Sequence, residues 1–307
     1  MCIRDSEKLD KLRWRTNQKA ENIVFYSYKM SEHDHINEHE FKRLKHSIAS
    51  LREFNNEISV YLFCDKPNLV PDHFKSEYSV FIRPFVKGFD HHMLSAWSIH
   101  RWYNLKSFRG KDCNILYLDS DTIFYYNVQY LFDTYCYYDV YGREEFGFRF
   151  DPNIGCCVKI REQLDKVDLA IYDLGGRGAI YKYCCGVMLL NNNVHNYIID
   201  SLSELTELMN DFKRKEQFYP IPNPRIVDQY AIWTILSRLE IMGGLFACQD
   251  VTMGYKEQKH QEHFNPVVLH YTTKGEQELA KSDEKYNDLI RDVDALGADI
   301  DPYSVAS

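Results

Sequence analysis

A chain of 307 residues, 45% hydrophobic and 27% charged, can bury either one large core or two small ones. Its formal net charge is −8 and no basic tract is long enough to follow a phosphate backbone, which argues against a nucleic acid as main partner. No run of about 18 apolar residues occurs, so the sequence as given predicts no membrane-spanning helix.

The opening "MCIRDS", back-translated, resembles a sequencing-library adapter, and residues 1–6 are set aside as an artefact. An anchor upstream of the given start therefore stays open. Residues 7–21 form a basic N-terminal segment whose "KLRWR" patch suits a helix end or a membrane flank. "SEHDHINEHE" brings His33, His35 and His39 close to acids, a pattern of a solvated loop and helix start more than of a metal site. "NIVFYSY" and "EISVYLFC" are short β-branched and aromatic runs that predict strands. Between them Phe41, Leu44, Ile48 and Leu51 recur at helical spacing. "YSVFIRPF" predicts a third strand, "HMLSAWSIHRWYNL" a second helix, and "NILYL" a fourth strand that runs into Asp119 and Asp121. This alternation predicts a mostly parallel sheet flanked by helices in a single α/β domain, with ligands at the carboxyl ends of its strands.

Further on, "CYYDVYGREEFGFRF" suggests strands and a hairpin, and its Arg143–Glu145 cluster is a candidate for acceptor hydroxyls. "REQLDKVDLAIYDLGGRG" predicts a short helix and a glycine turn at Gly175–Gly178. That turn precedes a strand, so it lacks the helix dipole of a phosphate loop. "YKYCCGVMLLN" predicts a strand, "VHNYIIDSLSELTELMNDF" one helix, "VDQYAIWTILSRLE" another, and "NPVVLHYTT" a last strand ending in His270. Residues 276–307 form an acid-rich tail.

The cysteines show no CxxC spacing, and the adjacent pairs 156–157 and 184–185 are poor geometry for zinc. Several others lie in apolar runs, as buried thiols do, which predicts a reduced, cytoplasmic protein. Aromatics make up 15% of the chain, with 23 Tyr and 18 Phe, which serves core packing or sugar stacking.

Two carboxylates one residue apart at the end of an apolar strand need a partner for their charge. A turn in which Asp caps backbone N–H groups is one reading. A haloacid-dehalogenase-type phosphatase with Asp119 as nucleophile is a second, although that family prefers Thr or Val where Ile123 stands. A clamp for Mg²⁺ or Mn²⁺ on a nucleotide diphosphate is the third, because hard oxygen ligands suit those ions.

"LYLDSDTIF", "CCGVMLLN", "VDQYAIW" and "VVLHYTTKG", in this order, resemble the GT-A-fold glycosyltransferases, in particular the family-8-type enzymes that use nucleotide-diphosphate sugars. The likeness covers residues 22–275 and implies a GT-A-like, Rossmann-type sheet. It implies a hexosyltransferase-type enzyme that moves a sugar, typically from a UDP-sugar, to a hydroxyl of a glycan, lipid-linked saccharide or other acceptor. Retention of configuration and a resident Mn²⁺ or Mg²⁺ belong to the same expectation, with peripheral membrane association open. Carried over by position, Asp119, Asp121 and His270 are the metal ligands, and Asp228 and Gln229 contact the transferred sugar. Ser27 and Tyr28 lie where base and ribose are held, Arg101 and Lys274 near the diphosphate, and Gly186 in the segment lining the sugar site. The chain departs from the pattern at Cys184, where the family usually has Asn, and after His270, where Lys274-Gly275 replaces the longer His-x-x-Gly-x-x-Lys ending. A non-catalytic nucleotide-sugar or glycan-binding protein of the same fold is the remaining alternative.

Overall fold

A computed structural model describes residues 20–29, 38–87, 96–144, 167–177, 182–215, 227–253 and 266–270. The first strand, β1 (Glu21–Tyr28), is flanked by β2 (Ser59–Cys64) and β4 (Cys113–Leu118), and β3 (Val80–Pro84) lies outside β2. All these pairings are parallel. Beyond β4 come β7 (Tyr183–Leu190), β6 (Val140–Glu144) and β8 (Gly243–Leu245), completing the order β3-β2-β1-β4-β7-β6-β8. The predicted mostly parallel sheet is thus present, with β7 alone running against its neighbours.

Strand periodicity divides the core in two. Successive side chains of β1 point to opposite faces, so Ile23 and Phe25 join one apolar cluster and Val24 and Tyr26 the other. In β4 the same alternation puts Ile115 and Tyr117 on the first face and Leu116 and Leu118 on the second. Helix α1 (Glu38–Phe54) covers the second face with Phe41, Leu44, Ile48 and Leu51, the four residues read from spacing. The chain continues through α2 (Asp72–Glu77), then α3 (Ala96–Tyr103) on the first face, and α4 (Gln129–Thr134). A helix over 167–173, α5, ends in a left-handed Gly175 (φ +85°), with the Gly176 N–H returning to the Ile171 carbonyl at 2.8 Å. Gly175–Gly176 is therefore a helix stop, as the turn reading expects; Gly178 lies outside the described residues.

The single helix expected after β7 is two, α6 (Val194–Asp200) and α7 (Leu202–Lys215), separated at Ser201. The Ser201 N–H is shared between the Tyr197 and Ile198 carbonyls, so the regular ladder stops there. Helix α8 (Val227–Arg238) is buried on every side from Val227 to Ser237, which is why its sequence shows no polar face. Trp233 pins it to the sheet, donating from Nε1 to the Tyr183 carbonyl at 2.9 Å.

A second sheet has the order β5-β10-β9, from β5 (Thr122–Phe124), β9 (Val251–Met253) and β10 (Val268–His270). The Asp119–Asp121 turn is the chain's passage from β4 in the large sheet to β5 in the small one. No helix among the described residues is long and apolar enough to cross a membrane.

Candidate functional site

Asp119 leaves β4 still tied to its neighbour, its N–H donating to the Gly186 carbonyl at 2.8 Å. The Asp119 carbonyl accepts from the Thr122 hydroxyl at 3.0 Å, which closes the turn. Thr122 in turn meets Ser47 (2.6 Å), and Ser47 meets Tyr26 (2.9 Å), a buried chain of hydroxyls linking α1 and β1 to the turn. Antiparallel pairing of β5 with β10 then sets His270 opposite Thr122. That register brings an imidazole 149 residues away in sequence to 3.1 Å, Nε2 to Asp121 Oδ1. Nε2 is 3.9 Å from Asp119 Oδ2, and one ligand atom from each of the three residues lies within 4.8 Å of the others. The convergence expected of Asp119, Asp121 and His270 is present.

Gly186 explains how the ring fits. A Cβ built on residue 186 would lie 2.1 Å from His270 Cε1, so the imidazole rests directly on the β7 backbone. The resemblance places Gly186 in the segment lining the sugar site; the group that occupies the space beside its Cα is His270.

On the other side of the turn stands Arg101, from α3, only 6% exposed. Its guanidinium lies 3.4 Å from Asp119 Oδ1 and 3.4 Å from Asp228 Oδ2, and donates to the Cys185 carbonyl at 2.9 Å. It sits 5.1 Å over the Tyr117 ring, and Tyr117 donates its hydroxyl to Asp119 Oδ1 at 2.5 Å. Asp228, 1% exposed, belongs to the first turn of α8 as described, and its neighbour Gln229 accepts from the Cys185 N–H at 2.8 Å. Arg101 therefore links Asp119, Asp228 and the backbone of β7.

The electrostatics follow from burial. It pushes the Asp119 carboxyl above the usual range, with Arg101 opposing and Asp121 adding to the shift. Burial acts the same way on Asp121, but the facing imidazole outweighs it and holds the carboxyl below the usual range. Burial disfavours charge on His270, yet Asp121 prevails and raises it well above its ordinary value. Arg43, on α1, adds a weaker positive field at Asp121. Asp119 and Asp228 each meet the Arg101 guanidinium, whereas Asp121 faces the His270 ring. The two carboxylates of Asp119 and Asp121 with the His270 imidazole are a donor set that Mn²⁺ or Mg²⁺ accepts.

No family model matches the chain, and no curated protein matches it in sequence. Solved structures do match. The galactosyltransferase LgtC, in complex with donor and acceptor sugar analogues, superposes with a TM-score of 0.55 at 14% identity, covering 88% of this chain and 95% of LgtC. The bifunctional glycosyltransferase WbbM gives 0.54 at 14% identity over 89% of this chain and 49% of WbbM. Mouse xyloside xylosyltransferase 1 gives 0.51 at 13% identity over 84% of this chain and 99% of the enzyme. The chain has the GT-A glycosyltransferase fold.

In this GT-A fold the strand ends around Asp119 form one edge. Tyr26 pairs with Leu118, and Ser27 and Tyr28 run on past the end of β4 beside the acid turn, still paired with Phe63 and Cys64 of β2. The Ser27 hydroxyl accepts from Asn104 Nδ2 at 3.0 Å, and Asn104 Oδ1 accepts the Val86 N–H, joining the ends of β1 and β3. Tyr28 is buried. The GT-A fold sets aside the phosphatase reading of Asp119. Arg143, proposed from sequence for acceptor hydroxyls, is buried and reaches the Phe246 carbonyl at 3.3 Å. Lys274, Glu145, His33 and His35 lie outside the described residues, as do the side chains of His39 and Glu144. Tyr117, Asn104 and the Thr122–Ser47 chain were missed by sequence reasoning. Only Tyr117 carried a signal, its position two before Asp119 on the same strand face.

Proposed function

We propose that the chain is a metal-dependent glycosyltransferase that moves a sugar from a nucleotide-diphosphate sugar, a UDP-sugar, to an acceptor hydroxyl with retention of configuration. The observation that carries this reading is the meeting of Asp119, Asp121 and His270 at the seam between the two sheets, on a GT-A fold. These three residues would hold Mn²⁺ or Mg²⁺, which when bound offsets the charge that builds on a leaving diphosphate. Tyr117 and Arg101 fix Asp119, and the β10 register fixes His270, so the ligands need little reorganisation. Arg101 also holds Asp228. Asp228 and Gln229, anchored to β7, orient the sugar for front-face attack. Ser27, Tyr28 and Lys274 are assigned to the nucleotide side.

The test is nucleotide release from a panel of nucleotide sugars, with Mn²⁺ or with chelator, beside Asp121→Asn. Release by the parent with Mn²⁺, falling about 100-fold or more with chelator and in the variant, is the expected outcome. Release that persists unchanged in both arms overturns the metal-assisted mechanism. Binding of UDP and Mn²⁺ with no turnover of any donor would establish the binding-protein alternative instead.

A further inference from the structure

One side chain with no role so far touches the imidazole on which the cation reading depends. Cys184, the second residue of β7, is buried, and its Sγ lies 3.9 Å from His270 Nδ1. Nδ1 is the ring nitrogen turned away from the carboxylates; Nε2 faces Asp121 at 3.1 Å. The ring is thus bounded by Asp121 at Nε2, by the backbone of Gly186 nearest Cε1, and by Cys184 at Nδ1. Rotating the ring by half a turn about its bond to Cβ would put carbon against Asp121 and carbon against the sulfur. An Nε2 that offers its lone pair to a cation leaves the ring hydrogen on Nδ1, and the Cys184 sulfur, a weak acceptor, receives it. Histidines that bind metals commonly have such a partner at the other nitrogen, which fixes both tautomer and orientation.

We propose that Cys184 is a positioning residue for His270, its thiol holding Nδ1 so that Nε2 is presented to a divalent cation shared with Asp119 and Asp121. This rests on the cation reading above and adds to it the group that orients the third ligand. The same strand supplies both restraints, Cys184 beside the ring and Gly186 beneath it. Its neighbour Cys185 has a different environment, with its backbone bonded to Arg101 and Gln229 and its side chain in the core.

The test is the Mn²⁺ dissociation constant, measured without donor by titration against the paramagnetic signal of free Mn²⁺. Parent, Cys184→Val, Cys184→Ser and His270→Ala are compared. Valine keeps an apolar side chain but no partner for Nδ1; serine keeps the partner. The proposal expects Cys184→Val to weaken Mn²⁺ binding about 10-fold or more and Cys184→Ser to stay within about threefold of the parent. Should the valine variant fail to fold, as judged by circular dichroism, Cys184→Ala takes its place. Parent-like binding by Cys184→Val or Cys184→Ala, with binding lost in His270→Ala, overturns the positioning role and leaves the cation reading standing. Equal binding by parent and His270→Ala, or none by the parent, overturns the cation reading and the proposal with it.

Discussion

Residue 186 has no side chain because a histidine ring occupies that space. The imidazole of His270 would be 2.1 Å from an added Cβ, closer than any contact can be, and the ring is also confined by Asp121 and Cys184. Gly186→Ala should therefore expel His270 while leaving β7 paired to β4. The expected outcome is Mn²⁺ binding, measured by calorimetry, reduced to the level of His270→Ala; parent-like affinity would show that the ring position does not matter. At this scale much of the site was legible: Asp119, Asp121 and His270 were all named from motifs in order along the chain, and they converge. What stayed hidden were the partners. The Tyr117 hydroxyl on Asp119, the Arg101 bridge to Asp228 and the Cys184 sulfur on His270 are contacts across 2 to 127 positions that no local spacing encodes.

Elements were legible where one face alone is buried and also where an apolar run is buried throughout, as in β4 and β7. Helix α1 declared itself through Phe41, Leu44, Ile48 and Leu51, whereas the reversal of β7 could not be read, because strand direction depends on which neighbour it meets. The break between α6 and α7 was also invisible, since Ser201 is a tolerable helix residue in isolation. Helix α6 carries a titratable group with a calculable sign. His195 is fully buried and 3.1 Å from the Phe108 carbonyl through Nε2; burial lowers its pKa, with that hydrogen bond opposing. As pH falls, the unfolded chain takes the proton first, so this contribution to stability is full above about 6.5 and shrinks toward the lowered folded value. His270, shifted upward, contributes with the opposite sign, but equally in parent and variant. The difference in melting temperature between parent and His195→Gln, followed from pH 7.5 down to about 5.5, should move in favour of the variant. A difference that does not change with pH would mean that His195 is not held neutral.

The whole molecule meets at the carboxylate turn. Asp119 belongs to the end of the large sheet, His270 to the small sheet, Arg101 to α3 and Asp228 to α8, so the site exists only when these parts have docked. The two sheets are joined in sequence by the turn that holds both acids, and in space by the β5–β10 pairing that returns His270 to it. An ion that binds this arrangement binds the folded state and not the unfolded chain. Free Mn²⁺ at about 100 times its dissociation constant should then add about 2.7 kcal/mol to stability. For a chain of 307 residues, with an unfolding entropy of about 2.1 cal/mol/K per residue, that corresponds to about 4 °C in melting temperature. Scanning calorimetry of the parent with Mn²⁺ and with chelator should show this rise. His270→Ala and Asp121→Asn should show little of it, since each removes one ligand from the seam. A rise of equal size in all three proteins would locate the bound ion elsewhere and leave Asp121 with the His270 ring as its partner.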